Sequence, residues 1–158
     1  MNTVSEEKLN AAVFDVFEKL VFMFGDVADK EEISQTLTED YIHVSMNFTG
    51  QSARGMFALA VPAETSMEIA ANVLGVEQDD QLAAAQATDA LKEVLNVICG
   101  NLLTSVAGEK AVFNLTVPVV SSLDAEGWSS LLDKLDTHAF LVDDSPVLVQ
   151  FTYEGLCQ

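Results

Sequence analysis

Apolar positions along the chain switch between two periods, and the switches mark its elements. From Ala12 to Phe24 they recur at steps of three and four: Ala12, Val13, Val16, Phe17, Leu20, Val21 and Phe24 form one stripe, with Asp15, Glu18 and Lys19 looking outward. This predicts an amphipathic helix whose N-terminus suits Glu6 and Glu7, because the backbone dipole favours negative charge there, and for which Gly25 is a natural stop. Between Tyr41 and Thr49 the period becomes two. Ile42, Val44, Met46 and Phe48 alternate with His43, Ser45, Asn47 and Thr49, the pattern of a half-buried strand with His43 on its polar face. Gly50, Gln51, Ser52 and the Arg54-Gly55 pair read as a turn, and "MFALAV" beyond them as the second strand of a hairpin.

Pro62 ends that strand, and "AETSMEIAANVLG" predicts a compact helix with Glu64 near its start and Gly75 just past its end. After the acidic connection "VEQDDQ", a long helix runs from about Leu82 to about Val106. "VFNLTVPVV" then alternates as a strand with Phe113, Leu115, Val117 and Val119 on its apolar side, and Pro118 points to an edge or a strand end. The stretch "SSLDAEGWSSLLDKLDTH" reads as a loop with a helical turn around Ser129 to Leu135, with Trp128 as a packing residue. "AFLV" and "VLVQFTY" flank the turn residues Asp143, Asp144, Ser145 and Pro146 and so form a closing hairpin. The order is helix, two strands, two helices, three strands. It implies an α+β fold: a single domain over residues 1–158 with a largely antiparallel sheet and about three helices, one of them long.

Composition narrows what such a domain can do. Apolar residues make up 49% of the 158, enough for one real core. Against 7 basic side chains stand 25 acidic ones, a formal net charge of −18. Phosphate-backbone binding draws on clustered Lys and Arg, so nucleic acid and anionic membrane surfaces are excluded as partners. The apolar runs fall short of the roughly 20 residues that span a bilayer, and "MNTVSEEKLN" lacks the basic and apolar regions of a secretory signal. A cytoplasmic protein is expected. Cys99 and Cys157 have neither CxxC spacing nor ligand-like neighbours, and His43 and His138 are the two histidines, so neither a disulfide nor a metal site is expected.

The candidate chemistry lies on the long helix, in "LKEVLNVICGNLLTSV". At about 100° per residue, Asp89, Glu93, Asn96, Gly100 and Thr104 fall within roughly 40 to 60° of one another, while Leu91, Val94, Leu95, Ile98, Leu102 and Val106 occupy the opposite half. Glu93 and Asn96 are thus neighbours about 4.5 Å apart along the axis. An E-x-x-N pair can simply solvate an amphipathic helix. Two choices argue for more: Asn is a poor helix former, and Gly100 costs about 1 kcal/mol against Ala. A carboxylate accepts charge-assisted hydrogen bonds from a cation, and a carboxamide both donates and accepts, so together they can grip a Lys and orient a water. Neither is a strong nucleophile, so the chemistry they suit needs positioning more than activation, as phosphoryl hydrolysis does.

With these residues in view, the chain resembles the chemotaxis phosphatase family of CheC, CheX and FliY, and CheX most of all. The resemblance rests on "FTGQSARGMFALAVPAETSMEIAANVLG", similar to the family's strand, glycine turn, strand and helix, and on "DALKEVLNVICGNLLTSV", where Asp89, Glu93, Asn96, Gly100 and Asn101 match the acid or hydroxyl, the ExxN and the following Gly-Asn. Pro118 matches approximately the proline expected some two dozen residues later. The resemblance implies hydrolysis of the aspartyl phosphate on a CheY-type response regulator, with Glu93 contacting the regulator's Lys and Asn96 orienting the attacking water. Mg²⁺ would come with the regulator, and this chain would bind no cofactor of its own. A second ExxN, as in CheC, is absent from the first helix, where Glu18 is followed three residues later by Val21. One site per chain is the CheX-like arrangement and implies a homodimer. The competing readings are a non-catalytic regulator-binding adaptor related to flagellar switch proteins and, on the acidic stripe alone, a carboxylate-bound metal enzyme, which has no His near it.

Overall fold

The computed structural model describes residues 6–34, 40–51, 53–108 and 110–155; Ser52 and Cys157 lie outside them. The first helix, α1 (Glu6–Val16), runs into a π-helical turn over Phe17–Val21. It ends earlier than the stripe predicts. Phe22 takes a left-handed conformation (φ 61°) and the backbone N–H groups of both Phe22 and Met23 donate to the Phe17 carbonyl. Met23 is then fully buried, whereas Phe24, expected on the core face, is 65% exposed. Gly25 does not stop the helix but opens a short strand, β1 (Gly25–Val27). Such a conformation in an aromatic residue costs about 1–3 kcal/mol, so local packing over-determines it.

A short helix α2 (Lys30–Ser34) precedes the expected hairpin of β2 (Tyr41–Gly50) and β3 (Arg54–Pro62), which pair from Tyr41↔Pro62 to Thr49↔Arg54. Next come α3 (Ala63–Leu74), closed by Gly75 at φ 73°, and α4 (Gln81–Ala107), capped by Asp80, whose carboxylate accepts the Leu82 N–H at 2.8 Å. The chain continues through β4 (Phe113–Leu115), β5 (Val119–Leu123), α5 (Ala125–Leu132), β6 (Thr137–Val142) and β7 (Ser145–Glu154). Five α-helices are therefore described rather than three, α2 and α5 being short. The sheet is antiparallel throughout, in the order β1, β6, β7, β3, β2, and the outer edge of β2 is shared between β4 and β5.

That shared edge corrects the expectation of one strand with a single apolar face. Leu115 lies opposite Phe48, and Val119 opposite Ser45, so three residues (116–118) face only two on β2. The extra residue is a bulge, and it reverses the alternation. Phe113 and Val120 pack on one core, Leu123 joins the cluster on the other face, and Val117 and Val119 are left 80% and 64% exposed. Thr116 pins the bulge: its N–H donates to the Asn47 carbonyl and its Oγ1 accepts the Asn47 N–H, both at 2.9 Å. Pro118 has no N–H to place in a ladder.

The main core lies between one sheet face and α1, α3 and α4, with Phe57 and Phe151 stacked at 4.4 Å and Phe14 edge-on to Phe140 at 5.5 Å. Gly55, directly opposite Phe48, leaves room for that ring: a Cβ there would lie 2.6 Å from Phe48 Cζ and 2.1 Å from the Thr152 carbonyl oxygen. On the other face α2 and α5 cover only one end of the sheet. Trp128, fully buried as a packing residue, stacks on Tyr41 at 4.2 Å.

Candidate functional site

The sequence places all five candidate residues on α4, and the fold decides which way each looks. Ala83, Ala87, Ala90, Leu91, Val94, Leu95, Ile98, Cys99, Leu102 and Leu103 are buried, which fixes the helix by its apolar half against the sheet, α1 and α3. Lys8, near the start of α1, donates to the Ser105 carbonyl in the last turn of α4 at 3.3 Å. The helix is long and apolar enough to cross a membrane by length and composition, and ten of its residues, those named above, are buried in this core.

Asp89, Glu93 and Asn96 consequently face solvent, with Gly100 half-buried in line with them. Asp89 pairs with Lys92 (Oδ1 to Nζ 3.8 Å) on the exposed surface. Among the described residues neither Glu93 nor Asn96 has a hydrogen-bond or ion-pair partner, so both are free to reach outward. Asn101 is exposed as well, but it sits about 100° round the helix from Gly100 and does not share the stripe. Leu82, which the sequence reading did not single out, is 47% exposed and falls in register with Gly100 at the other end of the stripe. Its signal was present: eighteen residues are five full turns of an α-helix.

Away from this stripe, burial sets the state of two further titratable groups. Burial pushes the Cys99 thiol up to about 12, which leaves it protonated and inert. His43 is half-buried, its Nδ1 3.4 Å from Ser121 Oγ, and burial lowers its pKa from the usual histidine value. Among the described residues no three His, Cys, Asp or Glu side chains gather where they could hold a metal ion. What the exposed stripe offers is one carboxylate and one carboxamide, a turn apart, on a rigid support. Being exposed on the outer face of the helix, it can reach into a cavity of another molecule.

Residues 42–129, more than half of the chain and including all of α4, match the family described as chemotaxis phosphatase CheX. No curated protein sequence matches the chain. Among solved structures, the chemotaxis protein CheX of Vibrio vulnificus superposes with a TM-score of 0.70 at 16% identity, covering 98% of this chain and 100% of that one. CheX of Borrelia burgdorferi, in a complex with CheY, BeF₃ and Mg²⁺, gives 0.64 at 18% identity, with 96% and 99% covered. FliY of Thermotoga maritima gives 0.53 at 11%, with 94% and 91% covered. At these identities the likeness is one of fold.

Proposed function

The chain belongs to the family of the chemotaxis phosphatase CheX, and on that premise we propose that it hydrolyses the aspartyl phosphate of a CheY-type response regulator. The observation that carries the reading is the pair Glu93 and Asn96, exposed, without a side-chain partner among the described residues and placed on the matched helix. In this reading α4 lies across the mouth of the regulator's phosphorylation site. Glu93 accepts a hydrogen bond from a Lys ammonium there, which fixes the approach and occupies a cation that otherwise contacts the phosphoryl group. The Asn96 carboxamide oxygen accepts an O–H from a water and aligns it with the P–O bond to the Asp. Water adds to phosphorus, the bond to the Asp oxygen breaks, and carboxylate and inorganic phosphate separate. Mg²⁺, held by the regulator, offsets the phosphoryl charge, and this chain contributes no ligand to it. Asp89 and Lys92 flank the pair as contact surface, and Asn101 borders it on one side.

Acetyl-phosphate-charged receiver domains, followed by phosphate release, test the reading. No acceleration with any receiver, or full activity in Asn96→Ala, would sink it. Binding with an unchanged phosphate lifetime would select the non-catalytic adaptor instead. Either role places the protein in the cytoplasm with its regulator.

The same reading assigns a homodimer, and the sheet edge supports it. The stretch 111–123, "AVFNLTVPVVSSL", carries no charge, forms the free edge at β4 and β5, and leaves Val112, Val117 and Val119 at 80%, 80% and 64% exposure. Unprotected apolar edges recruit another strand. Two copies of a chain with net charge −18 approach at least cost where neither carries charge.

A further inference from the structure

β1 is the terminal strand of the sheet, at the opposite end from β4 and β5, and among the described residues nothing pairs with its outer side. The residues that lead into it place two aromatic rings at that edge. Exposure along Phe22, Met23 and Phe24 runs 66%, 0% and 65%, so one side chain turns into the core and the rings on either side turn out of it. Neither ring takes part in an aromatic pair among the described residues. Phe22 in addition has φ 61°, a conformation that glycine adopts freely and an aromatic residue does not. The turn therefore gives no reason for a ring at 22, and the core hardly uses it. Single exposed apolar side chains are ordinary, but two adjoining aromatic rings at a free strand edge mark a surface for another molecule.

Charge decides what can lie there. Asp143 is joined to Phe24, its carboxylate accepting the Phe24 N–H at 3.0 Å and its own N–H donating to the Phe24 carbonyl at 2.9 Å. Asp26 follows Phe24 by two residues of extended chain, so the two side chains leave the same side of the edge. On α3, burial first and then the carboxylates of Asp143 and Glu64 raise the pKa of Glu68, which places these acids within reach of one another. None of the four carboxylates has an ion-pair partner among the described residues. The nearest cations in the sequence are engaged elsewhere, Lys19 with Asp15 at 2.8 Å and Lys30 with the Lys134 carbonyl at 2.7 Å. Such a rim repels an anionic bilayer surface and a second copy of the same patch. It suits a cation on an aliphatic stem, which lies along an aromatic ring while its charged end meets a carboxylate.

We propose that the edge formed by Phe22, Phe24 and Asp26 docks an extended segment of another protein that carries an apolar side chain and, two residues from it, a Lys or Arg. The main chain of that segment adds to the outer side of β1, its apolar side chain covers the rings, and its cation meets Asp26 and the neighbouring acids. The surface uses no residue of α4, and the inference is independent of the regulator reading.

A fluorescein-labelled synthetic peptide with Leu and Lys taking turns at every second position, and Ser between them, tests this by anisotropy at physiological ionic strength. It should bind about tenfold more tightly than peptides with Ser in place of Leu or Glu in place of Lys. Phe22→Gly with Phe24→Ser should weaken binding about tenfold, although Gly suits the backbone at 22 and the fold is kept. Glu64→Gln with Glu68→Gln should weaken it about threefold without lowering the urea midpoint. Unchanged affinity in the Phe22 and Phe24 variant would show that the peptide merely samples a chain of net charge −18, and overturns the proposal. So does the absence of peptide binding. Binding of phosphatidylcholine vesicles that depends on Phe22 and Phe24, with none of the peptide, would assign the patch to a membrane instead. Amide shifts of the ¹⁵N-labelled protein need no variant: on adding the peptide they should concentrate at residues 22–27 and 143, and shifts confined to other regions overturn the docking site.

Discussion

Asp89 Oδ1 lies 3.8 Å from Lys92 Nζ, and this pair on the surface of α4 leaves the next residue, Glu93, with its charge uncompensated among the described residues. The arrangement separates two roles. Asp89 has a partner inside the chain, and Glu93 has none among the described residues. Asn96→Ala should therefore lower kcat for phosphate release about a hundredfold, a barrier increase of about 2.7 kcal/mol, with regulator affinity kept. Glu93→Gln should act mainly on KM, because it removes a charge-assisted bond made in docking. Asp89→Asn should change either constant less than about fivefold, since an exposed pair of this kind contributes at most about 1 kcal/mol. Steady-state kinetics of the three variants with one phosphorylated receiver separates these expectations, and equal loss in all three would contradict the division.

The edge at β4 and β5 gives a prediction independent of chemistry. Val117→Lys with Val119→Lys places two charges on side chains that are 80% and 64% exposed, where a monomer tolerates substitution within about 0.5 kcal/mol. Sedimentation should show a dimer for the unsubstituted protein and a monomer for the double variant, because unlike surface valines, lysines protect an edge against pairing. A dimer of undiminished affinity in the variant would place the interface elsewhere.

How far these features were legible depends on whether local pattern or distant pairing sets them. The β2–β3 hairpin and α4 were read nearly residue for residue, because Val44, Met46 and Phe48 alternate and Leu91, Val94, Leu95 and Ile98 recur with the helical period. Glu93 and Asn96 could be assigned to the outer face for the same reason. The β4–β5 edge could not be read this way. One residue in excess over β2 reverses the faces after Thr116, and that count exists only once two strands pair. Nor could the end of α1, where the three-four spacing continues to Phe24 although Phe22 has already left the helix. A signal for α5 was available: Asp124 caps it, its carboxylate accepting the Gly127 N–H at 2.8 Å.

The contact between Phe48 and Gly55 predicts a stability defect far from the candidate site. In Gly55→Ala the new methyl meets the Thr152 carbonyl at 2.1 Å on a neighbouring strand and the Phe48 ring at 2.6 Å. The backbone cannot swing aside, and the ring is tied into a cluster with Phe57, Phe113 and Phe151. Overpacking of this kind costs about 1–3 kcal/mol. Urea unfolding should show the loss, with kcat of the folded fraction unchanged; a midpoint equal to that of the unsubstituted protein would refute the close packing of Phe48 on Gly55.

A last expectation concerns Glu68 on α3, whose carboxyl is held above its usual range by burial, then by the carboxylates of Asp143 and Glu64. The sign follows from linkage. A carboxyl that binds its proton more readily in the folded state than in the unfolded one favours folding below its unfolded value, and that contribution is lost as pH rises through the folded value. At pH 7 the ionised group therefore works against the fold, next to a turn in which Asp143 already accepts the Phe24 N–H and donates its own N–H to the Phe24 carbonyl. Glu68→Gln keeps the shape and removes the charge. It should raise the urea midpoint at pH 7, and the advantage should shrink as pH falls towards 4, where the unsubstituted protein is protonated too. An advantage independent of pH would assign the effect to packing, and a lowered midpoint at pH 7 would show that the ionised carboxyl makes a contact worth more than the repulsion it feels.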